Sequence, residues 1–93
     1  MARMTRKRYR NLGGDSGITH YAIGNDFIAV QFRDDTVYVY DYDRPGRDHV
    51  EQMKACARSG HGLGTYITQH VRHAFARAQQ GWRARRRWRL IGG

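Results

Sequence analysis

Residues 27–43 show the clearest period-2 alternation of polar and apolar positions in the chain. Val, Ile, Thr, Tyr and Phe predominate on either side of Asp34-Asp35. This composition is typical of strands whose side chains stand on a half-buried sheet. Because Asp tolerates positive φ better than most residues other than Gly, Asp34-Asp35 is a plausible tight turn. The stretch therefore predicts a β-hairpin.

The register of this hairpin decides the role of its tyrosines. The two-residue loop places Phe32 opposite Val37, whereas a loop one residue longer places Phe32 opposite Tyr38. A slip of one residue exchanges the two faces of a strand. The first register is favoured, because the second normally requires Gly in the left-handed position. Tyr38 and Tyr40 are either a stacking platform for bases or structural packing residues, and packing is the favoured role.

The flanking segments complete the pattern of one small domain. Residues 18–23 favour a first strand, and an apolar stripe around Met53 predicts a helix over 47–58. A longer stripe follows Thr65, and its helical spacing predicts a second helix packed on the sheet. Its apolar members are Ile67, Val71, Ala74, Phe75 and Ala78. The predicted fold is α+β: a three-stranded antiparallel β-meander covered on one face by two C-terminal helices, with basic flexible termini.

Positive charge is concentrated at the two ends of the chain. The net charge is +9, and residues 1–10 and 81–93 contribute +5 each, so residues 11–80 carry −1. We therefore predict a disordered basic N-terminal arm over 1–14, a folded domain over 15–80 and an Arg/Trp-rich tail over 81–93.

Arginine-rich ends with interspersed Trp predict a polyanionic partner. Arginine binds phosphate bidentately, and Trp offers flat faces on which bases stack. We expect contacts to RNA or DNA, RNA being favoured, mainly through phosphates. The residues assigned to this role are Arg6, Lys7, Arg8, Arg10, Arg72, Trp82, Arg83, Arg85, Arg86, Arg87, Trp88 and Arg89.

Two other partners are compatible with the same ends. A tail that contacts an acidic protein surface would make the chain a protein–protein interaction module, such as a phage- or plasmid-borne factor docking on a host complex. Trp82, Trp88, Leu90 and Ile91 beside five arginines also resemble an interfacial membrane segment, but they form no long apolar stripe. No apolar run approaches the roughly 18 residues of a membrane span, so none is expected.

Candidate chemistry is sparse, so we expect binding without catalysis and no cofactor. His70 and His73 lie three residues apart, but no carboxylate or Cys lies at matching spacing, and no metal site is predicted. Cys56 is predicted to be a small core residue, and a single cysteine fits a reducing cytoplasm.

Gly62, Gly64 and Thr65 stand at the predicted start of the second helix, where unpaired backbone amides attract anions. Arg72 lies two turns further along the same predicted helix and would either join a phosphate site there or brace the loop. An ordinary tight turn is the structural alternative and is slightly favoured.

The order of several short motifs resembles the KTSC domain family. The motifs are Val30-x-Phe32, Tyr38-Val-Tyr40 and Gly64-x-Tyr66-Ile67-x-x-His70-Val71-Arg72-x-x-Phe75. This family is named for its occurrence at the C-terminus of some lysyl-tRNA synthetases, and it includes small stand-alone bacterial proteins. The resemblance covers residues 18–75 and departs from the family pattern at Gly62, where Ser is usual, and at Thr68, where Asn is frequent. It implies a small α+β domain for which nucleic-acid binding is suspected.

Overall fold

A five-stranded antiparallel sheet organises the protein, and its strands lie side by side in the order in which they occur in the sequence. The structure, a computed structural model, describes residues 6–14 and 16–81. The strands are β1 (Lys7–Arg8), β2 (Ile18–Ile23), β3 (Phe27–Phe32), β4 (Thr36–Asp41) and β5 (Arg77–Gln80). Between β4 and β5 lie helix α1 (Arg47–Ser59) and helix α2 (Leu63–Tyr66), and α2 continues directly into a π-helical turn (Ile67–Val71).

The α+β class, the antiparallel meander and helix α1 are confirmed, but the sheet has five strands rather than three. Strand β1 lies within the segment that was predicted to be disordered. The backbone N–H of Tyr9 donates to the carbonyl of Thr19 at 2.9 Å, and the Tyr9 side chain is only 4% exposed. Burial of this aromatic ring offsets the conformational entropy lost by ordering the segment around it.

The second helix is shorter than predicted, because its expected C-terminal part forms β5. Ile67 and Val71 are buried as the apolar stripe requires, but Ala78 is exposed and lies opposite Tyr38 in the sheet. The backbone N–H of Ala76 donates to the carbonyl of Val39 at 2.7 Å, next to the β4–β5 ladder. Pairing of this segment satisfies the backbone groups that β4 would otherwise leave unpaired at an edge.

The β3–β4 hairpin has a different register from the favoured one. Val30 lies opposite Tyr38, and Gln31 lies opposite Val37. The favoured pairing is therefore wrong by one residue, and the alternative pairing of Phe32 with Tyr38 is wrong by two. The loop spans residues 33–35 and closes with a 2.9 Å hydrogen bond from the Asp35 N–H to the Phe32 carbonyl. Asp35 has φ 72, so it occupies the left-handed position for which Gly was expected. Both tyrosines consequently face the helices.

The main core lies between the sheet and the helices. Its buried members come from the first four strand regions, from α1 and from the second helical segment. They are Tyr9, Ile18, Tyr21, Ile28, Val30, Tyr40, Val50, Met53, Ala57, Leu63, Ile67 and Val71. Among the described residues, no helix has the length and apolar character needed to cross a membrane.

A second apolar cluster lies on the opposite face of the sheet. It consists of Ala22, Ala29, Val37 and Val39, with the half-buried Phe27 packed beside it. No residue of α1, α2 or the π-helical turn belongs to this cluster. We call this side the helix-free face.

Candidate nucleic-acid interface

Strand β1 holds basic side chains along one edge of the sheet. Lys7 lies opposite Tyr21 and Arg8 lies opposite His20, so the two cations project toward opposite faces. The exposed cations of this segment are Arg6, Lys7, Arg8 and Arg10. Between them, Tyr9 reaches into the main core, so one buried aromatic side chain fixes the position of the basic segment.

These cations have no acidic partner within the described part of the chain. Across residues 6–14 and 16–81 the observed salt bridge joins Lys54 Nζ to Glu51 Oε2 at 2.9 Å and includes no residue of the basic segment. Arg10 instead donates to the carbonyl of Arg58 at 2.6 Å, which adds a second arginine to the neighbourhood. Positive charge in this region is therefore not neutralised locally, which favours the binding of an anion.

The neighbouring histidine responds to this charge. Burial lowers the pKa of His20, and the nearby guanidinium groups of Arg6 and Arg8 lower it further. Both causes disfavour the imidazolium form, because burial removes hydration and like charges repel.

The C-terminal basic residues begin at the other edge of the sheet. Trp82, Arg83, Arg85, Arg86, Arg87, Trp88 and Arg89 lie outside the described residues. Strand β5 precedes them, and its position in the strand order puts it four interstrand spacings, roughly 19 Å, from β1. Lys7 lies opposite Tyr21 near the β2–β3 turn, whereas Gln80 lies opposite Thr36 near the β3–β4 loop. The start of β1 and the end of β5 therefore lie at diagonally opposite corners of the sheet.

Tyr38 and Tyr40 lie in the helix-facing layer and do not form an open stacking platform. Tyr40 is 1% exposed, and burial raises its pKa well above the ordinary value for a phenol. The half-buried Tyr38 ring lies with its centroid 4.8 Å from that of Phe75 and 5.5 Å from that of Phe32. These contacts indicate that both tyrosines are packing residues.

The glycine turn before α2 is explained by packing. Gly62 precedes the helix with φ 84, a left-handed conformation that favours glycine. A Cβ at Gly64 would lie 2.9 Å from Ser16 Oγ, so a side chain at residue 64 would require Ser16 in the loop before β2 to shift. The N–H of Leu63, one of the amides that would face an anion, already donates to the Tyr9 hydroxyl at 3.2 Å.

Arg72 is not brought to this turn. It follows the π-helical turn at the far end of the helical segment, and Thr65 is exposed one residue after Gly64. Within residues 6–14 and 16–81, the Arg72 side chain makes no hydrogen bond or ion pair, so the described residues do not bring it to the predicted phosphate site or into the predicted brace. Arg72 is an exposed cation in this part of the chain.

An aromatic–histidine cluster on the helical layer was missed by the sequence prediction. His49 Nδ1 lies 2.7 Å from the Tyr66 hydroxyl, and the ring centroids of Tyr66 and His70 are 4.6 Å apart. Burial raises the pKa of Tyr66, with smaller contributions from Cys56 and Asp48. In the described part of the chain no three potential metal ligands come together. The spacing of four between Tyr66 and His70 was the available signal, since residues at i and i+4 of a helix are neighbours.

Comparison with family models, with curated proteins and with solved structures finds no match to this chain. Its function is therefore inferred from its own charge and geometry. The features that bear on function are the exposed basic segment at β1, the basic sequence that follows β5 and the distance between these two strands.

Proposed function

We propose that the chain is a small non-catalytic nucleic-acid-binding protein that prefers RNA and contacts mainly phosphates. The carrying observation is the set of exposed cations beside β1 that no described carboxylate neutralises. Binding to phosphates gives such cations partners and releases counterions from the nucleic acid. The second set of cations, in the tail after Gly81, supplies a further +5.

The separation of strands β1 and β5, which adjoin the two basic segments in the sequence, supports contact with an extended stretch of nucleic acid. The start of β1 and the end of β5, next to which the two basic segments stand in the sequence, lie at diagonally opposite corners of the sheet. We expect such segments to contact different stretches of a nucleic-acid backbone rather than one phosphate group. Single-stranded RNA suits this arrangement, because a flexible strand can follow both corners of a small domain. Each phosphate contact adds to the salt dependence of binding.

Membership of the KTSC family and a cytoplasmic location belong to the same proposal. The hairpin motif residues Val30, Phe32, Tyr38 and Tyr40 share the helix-facing side of the sheet, which is consistent with a common packing role. Tyr66 contributes to the helical layer that packs on that side. The single cysteine agrees with a reducing compartment.

The test is a salt titration of binding to fluorescent single-stranded RNA and duplex DNA, followed by anisotropy. The basic-segment variant carries Arg6→Gln, Lys7→Gln and Arg8→Gln. The matched control variant removes three exposed cations elsewhere, Arg33→Gln, Arg44→Gln and Arg47→Gln. If each lost cation contacts one phosphate of RNA, the slope of log K against log salt falls by about 2 in the first variant.

A control variant that weakens binding equally would show that net charge alone matters and would contradict a site at β1. Binding without salt dependence would contradict phosphate contacts altogether. A stable partner recovered from native lysate after nuclease treatment would favour the protein-interaction alternative.

A further inference from the structure

A polar cleft of about 520 Å³ lies beside the basic segment of β1. Residues of the loop before β2 line one side of it, and residues between 61 and 69 line the other. Tyr9 also lines the cleft, and the exposed cations Arg8 and Arg10 flank Tyr9 in the sequence. The volume falls in the range of roughly 300–1,000 Å³ that is typical of small-molecule sites. The cleft is therefore large enough to take one planar ligand group.

No lysine, arginine, aspartate or glutamate of residues 6–14 and 16–81 lines this cleft. The cations of the neighbourhood lie outside the lining, where Arg10 donates to the carbonyl of Arg58 at the end of α1. A lining without cations suits a neutral group that carries hydrogen-bonding atoms better than it suits an anion. An anion joined to that neutral group could contact the cations outside. This division into a neutral and an anionic part is the chemistry of a nucleotide.

Three side chains of the lining are exposed and make no hydrogen bond within the described part of the chain. They are Thr65, Thr68 and Gln69. Each threonine hydroxyl can donate and accept, and the glutamine amide offers two donors and a carbonyl acceptor. The edge of a nucleobase likewise carries donors and acceptors close together. These side chains can therefore pair with a base without breaking any hydrogen bond between described residues.

The hydroxyl group of Tyr9 adds a further donor. It accepts the hydrogen bond from the Leu63 N–H at 3.2 Å, and it donates to no acceptor among the described residues. Leu63 stands between Gly62 and Gly64, which both line the cleft, so this hydroxyl lies beside the same wall. Because Tyr9 belongs to the main core, a ligand atom that accepts its proton would satisfy a donor of the core.

An aromatic surface adjoins these polar groups. Phe32 is a half-buried lining residue, and its ring packs edge-on against Tyr38 with the centroids 5.5 Å apart. Gly17 lines the cleft next to this ring, where a Cβ would lie 3.8 Å from Phe32 Cδ2, and as a glycine it adds no side chain there. Aromatic side chains are the surfaces on which unstacked bases of single-stranded RNA pack.

The loop side of the cleft is held in place by its own hydrogen bonds. Asn11 Nδ2 donates to the carbonyl of Ser16 at 3.1 Å, and the Ser16 N–H donates to Asn11 Oδ1 at 3.3 Å. The Leu12 N–H donates to the carbonyl of Gly60 at 2.8 Å, which fixes the same loop to the end of α1. A ligand that enters a pre-formed cleft loses less free energy to ordering than one that must first organise the loop.

We propose that this cleft binds one unstacked base of a single-stranded RNA whose neighbouring phosphates contact the basic segment. Phe32 supplies the apolar surface for the base, and Thr65, Thr68 and Gln69 supply hydrogen bonds to its edge. A base that is paired and stacked in a duplex cannot enter. This site rests on the proposed function and adds base contacts to the phosphate contacts.

Strands with and without bases separate base contacts from phosphate contacts. The probes are a fluorescent single-stranded RNA of mixed sequence and an abasic phosphodiester of the same length, and anisotropy is followed at several salt concentrations. The cleft variant carries Thr68→Val and Gln69→Met, which remove hydrogen-bonding atoms without changing the charge. The matched control carries Thr36→Val and Gln52→Met, which lie outside the cleft. Circular dichroism establishes that each chain is folded.

We expect the unaltered chain to bind the RNA more tightly than the abasic strand. The cleft variant should lose about two- to tenfold in affinity for the RNA for each hydrogen bond removed. It should keep its affinity for the abasic strand and its salt dependence, because the phosphate contacts remain. The control variant should bind both strands as the unaltered chain does.

Equal losses in the cleft variant and the control, or equal losses for the two strands, would overturn the assignment of a base to the cleft. A cleft variant that binds both strands normally would also overturn it, and the steep salt dependence would then leave the proposed function standing. A nucleoside monophosphate that competes as strongly as the RNA would overturn the assignment to RNA in favour of a free nucleotide. An unaltered chain that binds neither strand would overturn the proposed function and this site together.

Discussion

The hydroxyl oxygen of Tyr9 accepts a 3.2 Å hydrogen bond from the backbone N–H of Leu63. This contact joins the basic N-terminal segment to the start of α2, and both residues belong to the main core. The segment that bears the exposed cations is therefore also part of the folded body. A deletion that removes Tyr9 would change stability and binding together, so charge substitutions are the sharper test of binding.

We predict that Tyr9→Ala lowers the free energy of unfolding by about 3–5 kcal/mol, because it removes a buried aromatic side chain and leaves a cavity. Tyr9→Phe should cost about 1–3 kcal/mol, since the Leu63 amide loses its partner while the ring remains. Urea denaturation gives both values. The exposed Lys7→Ala should stay within about 0.5 kcal/mol of the unaltered protein. A denaturation midpoint for Tyr9→Ala equal to that of Lys7→Ala would contradict the burial of Tyr9.

The contact between Gly64 and Ser16 predicts a coupling between two substitutions. A Cβ at residue 64 would lie 2.9 Å from Ser16 Oγ. The loss in free energy of unfolding caused by Gly64→Ala should therefore be about 1–3 kcal/mol smaller in a chain in which Ser16→Ala has removed that oxygen. The double-mutant cycle is measured by urea denaturation.

Gly62→Ala provides the control for this cycle. A Cβ at Gly62 would meet no atom within 4 Å, and the cost of substitution there comes from φ 84. That cost should be the same with and without Ser16→Ala. A zero coupling at Gly64 would mean that the two segments are not in close contact.

The environment of His20 predicts a loss of stability in mild acid. The pKa of His20 is lowered from its ordinary value of 6.5 by burial and then by Arg6 and Arg8. The unfolded chain therefore binds the proton more readily than the folded chain, and stability falls as the pH drops below 6.5 toward the folded pKa. His20→Gln removes this titration. As the pH is lowered from about 7.5 to about 5.5, the free energy of unfolding should fall in the unaltered protein and fall less in the variant. Parallel pH profiles of the two proteins would contradict the role assigned to His20.

Local patterns were sufficient to predict the hairpin strands and α1. The alternation over 27–43 and the stripe around Met53 depend on the period of the backbone itself. Strand β5 was not predictable in this way, because Arg77-Ala-Gln-Gln80 has no apolar alternation and is ordered by pairing with β4. The hairpin register depends on the left-handed conformation of Asp35. This conformation could not be predicted from the sequence, because residues other than glycine rarely adopt it.

The candidate site could be predicted in composition but not in geometry. Counting charges located the cations at both ends of the chain. The fixed position of Arg8 and its neighbours depends on the burial of Tyr9, a tertiary contact to residues more than fifty positions away, such as Leu63. Gly62 and Arg72 lie at opposite ends of the helical segment over residues 63–71, which keeps them apart.

Each strand in the described sheet pairs with the strand that follows or precedes it in the sequence. The β2–β3 and β3–β4 pairings close short connections over residues 24–26 and 33–35, whereas β4–β5 closes the whole stretch 42–76. Closure entropy rises with the length of the connection, and local pairings form fastest. The sheet can therefore assemble outward from the β2–β3–β4 meander, with β5 as the last strand to be recruited. On this order of assembly, the strand that immediately precedes the C-terminal arginines in the sequence is the part of the sheet that forms last.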